Sequence, residues 1–299
     1  MNKKYESVNP FILFVFFIAA VIISLPLRVF QLMQNVEANT GFWINRDSIT
    51  VYILYAVLGI GIVLPILLSL IYKRGLGKTV EVGEKKLLGG IFSFILSATL
   101  IVNAITRYGD FSDAFFSISN SANMFSELSK SGGIAMVLEA FFAVVSAIFF
   151  IMYGIAQING KSASEYKLLA IMPLFWSVFR ILHRFMREIS FLNVSELFLE
   201  LLMIAFLLMF FMAFAQVTAK VNGKGVEWKL FAYGLPAALL CLLCFVPRVI
   251  VTILGKGEFI YALSSIEFCD LGVALFIIYV LVDRSKVFKQ EILEKKNKK

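Results

Sequence analysis

The chain has 299 residues, 60% of them hydrophobic and 16% charged, where soluble domains carry about 25% charged residues. With several apolar runs of about 20 residues, that composition excludes a soluble globular protein and describes an all-α polytopic integral membrane protein with one membrane domain. The formal net charge of +8 is no nucleic-acid signal, because the excess Lys and Arg flank the apolar runs.

Lys3 and Lys4 precede an apolar run over residues 11–30. It is too long for a signal-peptide core and lacks a small-x-small exit, so it is predicted to be a retained first span. A short polar loop, residues 37–47, leads to a second span over 48–72, where Gly59, Gly61 and Pro65 form a weak point. After a basic loop, residues 73–86, the third span covers 87–106. The connection over 107–133 is rich in Ser and Asn yet carries Phe111, Phe115, Phe116, Met124 and Phe125. That mixture predicts a short helix lying in the membrane interface. Further spans are predicted at 134–157, 168–189, 195–218, 230–254 and 259–282. Residues 1–283 then form the transmembrane domain, about eight spans, and 284–299 a basic cytoplasmic tail that forms a frayed amphipathic helix.

With the N-terminus in the cytoplasm, eight spans place both termini inside, and the inner segments hold about 19 of the 28 Lys and Arg residues. The inner set is nearly all Lys, with Arg74 and Arg284 the exceptions. The outer set is Arg28, Arg46, Arg107, Arg180, Arg184, Arg187 and Arg248, beside Lys130 and Lys256. Inner Lys matches the plasma (inner) membrane and its anionic inner-leaflet lipid, the expected partner. Arg at the outer helix ends suits fixed, multidentate pairing with carboxylate or phosphate. Frequent Lys, Ile and Phe are associated with AT-rich bacterial genomes.

A repeat runs through the chain. Asn159-Gly-Lys161 leads to Glu165-Tyr-Lys-Leu-Leu-Ala and Pro173, and Asn222-Gly-Lys224 leads to Glu227-Trp-Lys-Leu-Phe-Ala and Pro236. An attenuated copy, Glu84-Lys-Lys-Leu-Leu-Gly, opens the third span. Each precedes an outgoing span that ends near an Arg (Arg107, Arg187, Arg248), with Arg28 in the matching place on the first span. The returning spans carry acid in their outer third: Glu139, then Glu196 and Glu200, then Glu267 and Asp270. These features predict four repeated helical hairpins, an arrangement common in transporters.

The stretch from Trp176 to Glu200 carries the chemistry. Arg180, His183, Arg184 and Arg187 recur at i, i+3, i+4 and i+7, hence on one helix face. Arg180 lies about 13 residues beyond Lys167, roughly 20 Å into a hydrocarbon layer of roughly 30 Å. An Arg at the centre of a spanning helix costs roughly 2.5–3.5 kcal/mol, so these groups need partners or water. Glu139, Glu200 and Asp270 lie one to two turns inside their spans and cannot snorkel far.

Two readings follow. In one, the Arg row and the acids pair off and brace helix packing. In the other, Arg180, His183, Arg184, Arg187, Arg248 and Arg28 with Glu139, Glu196, Glu200, Glu267 and Asp270 line an extracytoplasmic cavity at the contact of the fifth, sixth and eighth spans. That cavity binds a small anionic or zwitterionic solute: Arg fixes its acid group, and a carboxylate takes its amine or a coupling proton through Glu200 or Asp270. Pro65, Pro173 and Pro236 supply bends. The first function expected is therefore a secondary transporter or permease, and the alternative a non-transport sensor or assembly subunit.

His183, the one histidine, is either a packed, hydrogen-bonded residue or a proton relay in its neutral form. No metal is expected, since no second His or ligand spacing accompanies it. Cys241, Cys244 and Cys269 lie in apolar runs, and the Cys241-Leu-Leu-Cys244 spacing reads as packing rather than redox or metal chemistry. No Gly-rich phosphate loop, GxSxG elbow or HExxH is present. Glu196-x-x-x-Glu200 opposite Arg180 and His183 leaves an intramembrane hydrolase or lipid-phosphate transferase as a third reading, and no cofactor is expected.

Overall fold

The computed structural model describes residues 11–36, 43–44, 48–71, 85–118, 124–186, 194–219, 226–255 and 266–297. Among the described residues there are nine α-helices and one isolated β-bridge, Val36 with Trp43. The helices are α1 Phe11–Gln34, α2 Ile49–Ile71, α3 Leu87–Ile118, α4 Met124–Lys130, α5 Gly133–Ile158, α6 Met172–Met186, α7 Val194–Thr218, α8 Glu227–Ile253 and α9 Phe268–Asn297.

Seven of them are long and apolar enough to cross a membrane: α1, α2, α3, α5, α7, α8, and α6 with its leading turn from Leu169. Their apolar residues also cover the outside of the bundle, as with Ile22, Ile60, Ile105 and Phe141. A water-exposed bundle does not carry such a coat, and this is a helical multi-pass membrane protein. The eighth predicted span starts in residues outside the described set. Its described part is α9, which carries Asp270, Asp283 and Arg284 and is not among the seven.

Three boundaries differ from expectation. The third span does not end at Thr106 but runs on to Ile118, so most of the expected connection is helix and the short helix α4 follows it. Apolarity fades at Arg107, but Phe111, Phe115 and Phe116 continue the helix, their rings packed in series 5.9–6.1 Å apart. The fifth span opens with two short 3-10 turns, Ala163–Tyr166 and Leu169–Ile171, before α6. Pro173 is the second residue of α6, where a missing N–H leaves no gap in the ladder, so it starts the helix rather than bending it. Pro247, next to Arg248 inside α8, is the proline beside the charged residues. Finally, α9 passes without a break through Asp283 into the basic tail.

Helix direction alternates, as polar contacts at both ends show. At one end, C-terminal parts of α1, α3, α6 and α8 meet N-terminal parts of α5 and α7 and the start of α9 through Arg–carboxylate pairs. There Gln31 of α1 and Asn35 just after it also donate to the Thr50 carbonyl and hydroxyl at the start of α2, both at 2.8 Å. At the other end, Lys86 beside α3 pairs with Asp283 of α9 at 2.6 Å, and Arg284 of α9 with Glu227 of α8 at 3.3 Å.

Between the two ends lies an apolar core of aromatic rings. Trp176, Phe211, Phe150, Phe276 and Tyr153 form a column, each ring 5.0–6.3 Å from the next. Helices α3 and α5 approach closely through Gly90, Ser93 and Ser97 on one side and Ala147 and Gly154 on the other. Small residues at helical spacing let backbones approach where lipid supplies no hydrophobic drive between helices. Ser97 uses that approach to donate to the Ala147 carbonyl at 2.9 Å.

The α9–α3 contact is equally close at Gly272. A Cβ there would lie 2.2 Å from Thr99 Oγ1 and 3.1 Å from Thr99 Cβ, and that hydroxyl is held at 2.9 Å by the Leu96 carbonyl. Overpacking costs about 1–3 kcal/mol, more than the helix-propensity gain of about 1 kcal/mol for Gly→Ala. Gly272→Ala is therefore expected to lower the melting temperature in detergent, and adding Thr99→Ala to recover most of the loss.

Candidate functional site

Ten of the eleven residues singled out from the sequence lie in one connected buried network; the eleventh, Arg187, is outside the described residues. Residue spacing explains why they converge. Arg180, His183 and Arg184 share a face of α6 that is otherwise Pro173, Trp176 and Ser177, all buried. Glu196 and Glu200 repeat i, i+4 on α7, and Glu139 faces inward one turn into α5. Glu267 immediately precedes α9, and Asp270 lies in its first turn.

The pairing runs as a chain. Arg28 of α1 pairs with Glu196, and Arg248 of α8 bridges Glu196 and Glu200 at 2.8 and 2.7 Å. Arg184 joins Glu200 at 3.2 Å to Glu267. Glu267 also accepts from Arg107 and Arg180, so three guanidinium groups from two helices converge on one carboxylate. Arg107 and Arg184 address its Oε1, and Arg180 its Oε2. Each of the three holds a second carboxylate: Arg107 to Glu139 at 3.0 Å, Arg180 to Asp270 at 2.7 Å, and Arg184 to Glu200.

The network closes on its own charge. Arg28, Arg107, Arg180, Arg184 and Arg248 face Glu139, Glu196, Glu200, Glu267 and Asp270, all buried. Five guanidinium groups and five carboxyl groups match in number in this buried set, with the half-exposed Asp110 beside Arg107 at its rim, and burial of so many charges demands such matching. His183 Nδ1 lies 3.0 Å from Glu139 Oε2. An ionised carboxylate only accepts, so Nδ1 carries the proton and the ring is held as a donor.

Several members were missed by sequence reasoning. Arg107 was noted only as a helix end, because the apolar window stops one residue earlier; in the structure it is central. Trp176, fully buried, lies below the cluster, with the Arg180 guanidinium 5.4 Å from its ring centroid and its Nε1 donating to Asn103 Oδ1 at 3.1 Å. Asn103 precedes Arg107 by one helical turn on α3, and that i, i+4 polar pair was the available signal. Gln31 accepts from Arg28 at 3.2 Å, and Trp43 stacks over Arg28 at 5.5 Å. Asp110, 2.9 Å from Arg107, has a side chain 45% exposed and marks where the network reaches the surface. The contact predicted among the fifth, sixth and eighth spans thus extends to the first, third, fourth and seventh.

Glu267, Cys269 and Asp270 offer three ligand atoms within 4.8 Å of one another. Both carboxylates already accept from guanidinium groups, so a cation there would face Arg107, Arg180 and Arg184. The donor set suits an anion better. Comparison with family models, curated proteins and solved structures gives no match. Fold and site together define the class: a helical multi-pass membrane protein with a charge-balanced Arg–carboxylate network buried at one end of the bundle.

Removing one partner of a buried pair costs about 3–5 kcal/mol, because the other is stranded. Glu196 is shared between Arg28 and Arg248, and Arg248 keeps Glu200 if Glu196 goes. Arg28→Met leaves Glu196 with Arg248 alone and the buried set one cation short, so it is expected to lower the melting temperature. Arg28→Met with Glu196→Met, which preserves neutrality, should recover a large part of that loss in a double-mutant cycle of thermal unfolding.

Proposed function

We propose that this protein is a plasma-membrane secondary transporter or permease for a small anionic or zwitterionic solute, and that the buried network is its binding site. One observation carries the reading: the convergence of Arg107, Arg180 and Arg184 on a single carboxylate. Fork-shaped donors set around one acid group are what recognition of a solute carboxylate requires. Stability alone argues the other way, since apolar packing of similar volume is often as stable as buried ion pairs. Ionisable groups at membrane depth are by default functional.

In this reading both termini are cytoplasmic, and the network opens outward past Asp110. The Lys-rich segments then lie inside and the Arg-rich helix ends outside. The four hairpins, α1–α2, α3–α5, α6–α7 and α8–α9, descend from a repeated unit. The repeated Asn-Gly-Lys segments and the placing of Arg on outgoing and acid on returning helices support this. Alternating access then requires the aromatic column to part, since it separates the network from the opposite end.

A second reading, a sensor or assembly subunit braced by the network, is favoured by the closed pairing of every network charge among the described residues. Arg180→Lys separates the two, because Lys keeps the charge but loses the fork. Full-length protein in proteoliposomes is expected to accumulate at least one of lactate, succinate, alanine or phosphate saturably. Arg180→Lys should abolish that uptake while inserting and melting like the wild type. Uptake of none of the four, with a sharply lowered melting temperature for Arg180→Lys, would support the brace.

A further inference from the structure

Glu267 differs from the other four acids of the network. It accepts from three arginines, whereas Glu139, Glu196 and Glu200 each meet two basic groups and Asp270 one among the described residues. Its backbone precedes the first helical residue of α9 and contributes only a carbonyl, accepting from the Asp270 N–H at 3.1 Å. The other four acids project from within helices. Glu267 can therefore leave without breaking a helix ladder.

Its departure does not strand its partners. Arg107, Arg180 and Arg184 each retain another carboxylate, on Glu139, Asp270 and Glu200 respectively. The arginines stay paired and oriented, and three guanidinium edges are left aimed at the place its oxygens occupied. Trp176 fixes Arg180 from below, and Asn103 fixes Trp176.

We infer that Glu267 is an intramolecular surrogate ligand: its side chain fills a three-arginine carboxylate site that a solute monocarboxylate occupies when Glu267 withdraws. This rests on the solute-binding reading above and narrows it. Charge sets the class. With Glu267 withdrawn the buried members of the network are five arginines against four acids, Asp110 lying half exposed at the rim, and one negative charge restores the neutrality of the buried set. A single carboxylate does this. A dianion overshoots, and a zwitterion brings an ammonium group among the arginines. A plug inside the site also reduces apparent affinity by the fraction of time it is seated, so removing it tightens binding. Loss of an ordinary structural contact has the opposite effect.

The test is binding by full-length protein in nanodiscs, wild type against Glu267→Gln, with sodium lactate, octanoate, succinate and alanine as probes. Lactate represents a carboxylate arriving from water, and octanoate one arriving from the bilayer. The expected result is saturable binding of lactate or octanoate that Glu267→Gln tightens by about tenfold or more, with no such gain for succinate or alanine. A Glu267→Gln protein that binds neither monocarboxylate more tightly than the wild type, or that prefers succinate, overturns the inference. Should that variant fail to fold, Cys269 reports on the native plug, because its Sγ lies 3.8 Å from Glu267 Oε2 and is buried. In a Cys241→Ser, Cys244→Ser background, lactate or octanoate is expected to accelerate alkylation of Cys269 by N-ethylmaleimide. A rate that both leave unchanged counts against the plug. Binding is read without flux, so tightening in a protein that moves no solute keeps the surrogate and removes the transporter; flux without tightening does the reverse.

Discussion

Five guanidinium groups buried inside the helix bundle are cut off from bulk solvent, and each lies against a carboxylate. That constraint shapes one whole end of the bundle. The cations sit in the C-terminal parts of α1, α3, α6 and α8, so the acids must come from the starts of helices running the other way, as they do from α5, α7 and α9. Pairing across seven helices fixes their relative depth and rotation more tightly than apolar packing would, because an ion pair has direction and a methyl contact has little. The network is thus a register device as well as a candidate site, and the two roles are compatible.

The rest of the interior is arranged around that layer. Next to it the column from Trp176 to Tyr153 packs ring against ring between the network and the opposite end. At the opposite end a sparser layer, Lys86–Asp283 and Arg284–Glu227, holds α9 to α3 and α8. The last helix is therefore tied by charge at its start, through Glu267 and Asp270, and again near its middle, through Asp283 and Arg284, with Gly272 packed against Thr99 close to the first of these. Glu267 stands at the start of that helix, where Arg107, Arg180 and Arg184 meet.

Energetics separate the candidate roles. A brace needs each charge paired and gains nothing from excess convergence. Three arginines on one acid exceed what a single brace pair requires, and the solute-binding proposal rests on that convergence. Glu196, which meets only Arg28 and Arg248 among the described residues, has the simpler geometry of a strut. One network can hold both kinds of member.

The sequence alone determined the class of protein, because a run of apolar residues long enough to cross lipid has no other stable use. It also marked part of the buried charge: i, i+3, i+4 spacing places Arg180, His183 and Arg184 on one face, and acids cannot snorkel from one or two turns inside a span, whereas Arg28 and Arg248 read equally well as shallow anchors. Only the tertiary structure decided who pairs with whom. Arg107 read as a helix end because apolarity stops beside it, yet the helix continues and carries it into the centre. Glu267 read as one acid among five, since spacing along a chain says nothing about how many partners converge from other helices. Convergence depends on depth and rotation across the bundle, which follow from ion pairs together with the packing of small residues and rings between helices far apart in sequence.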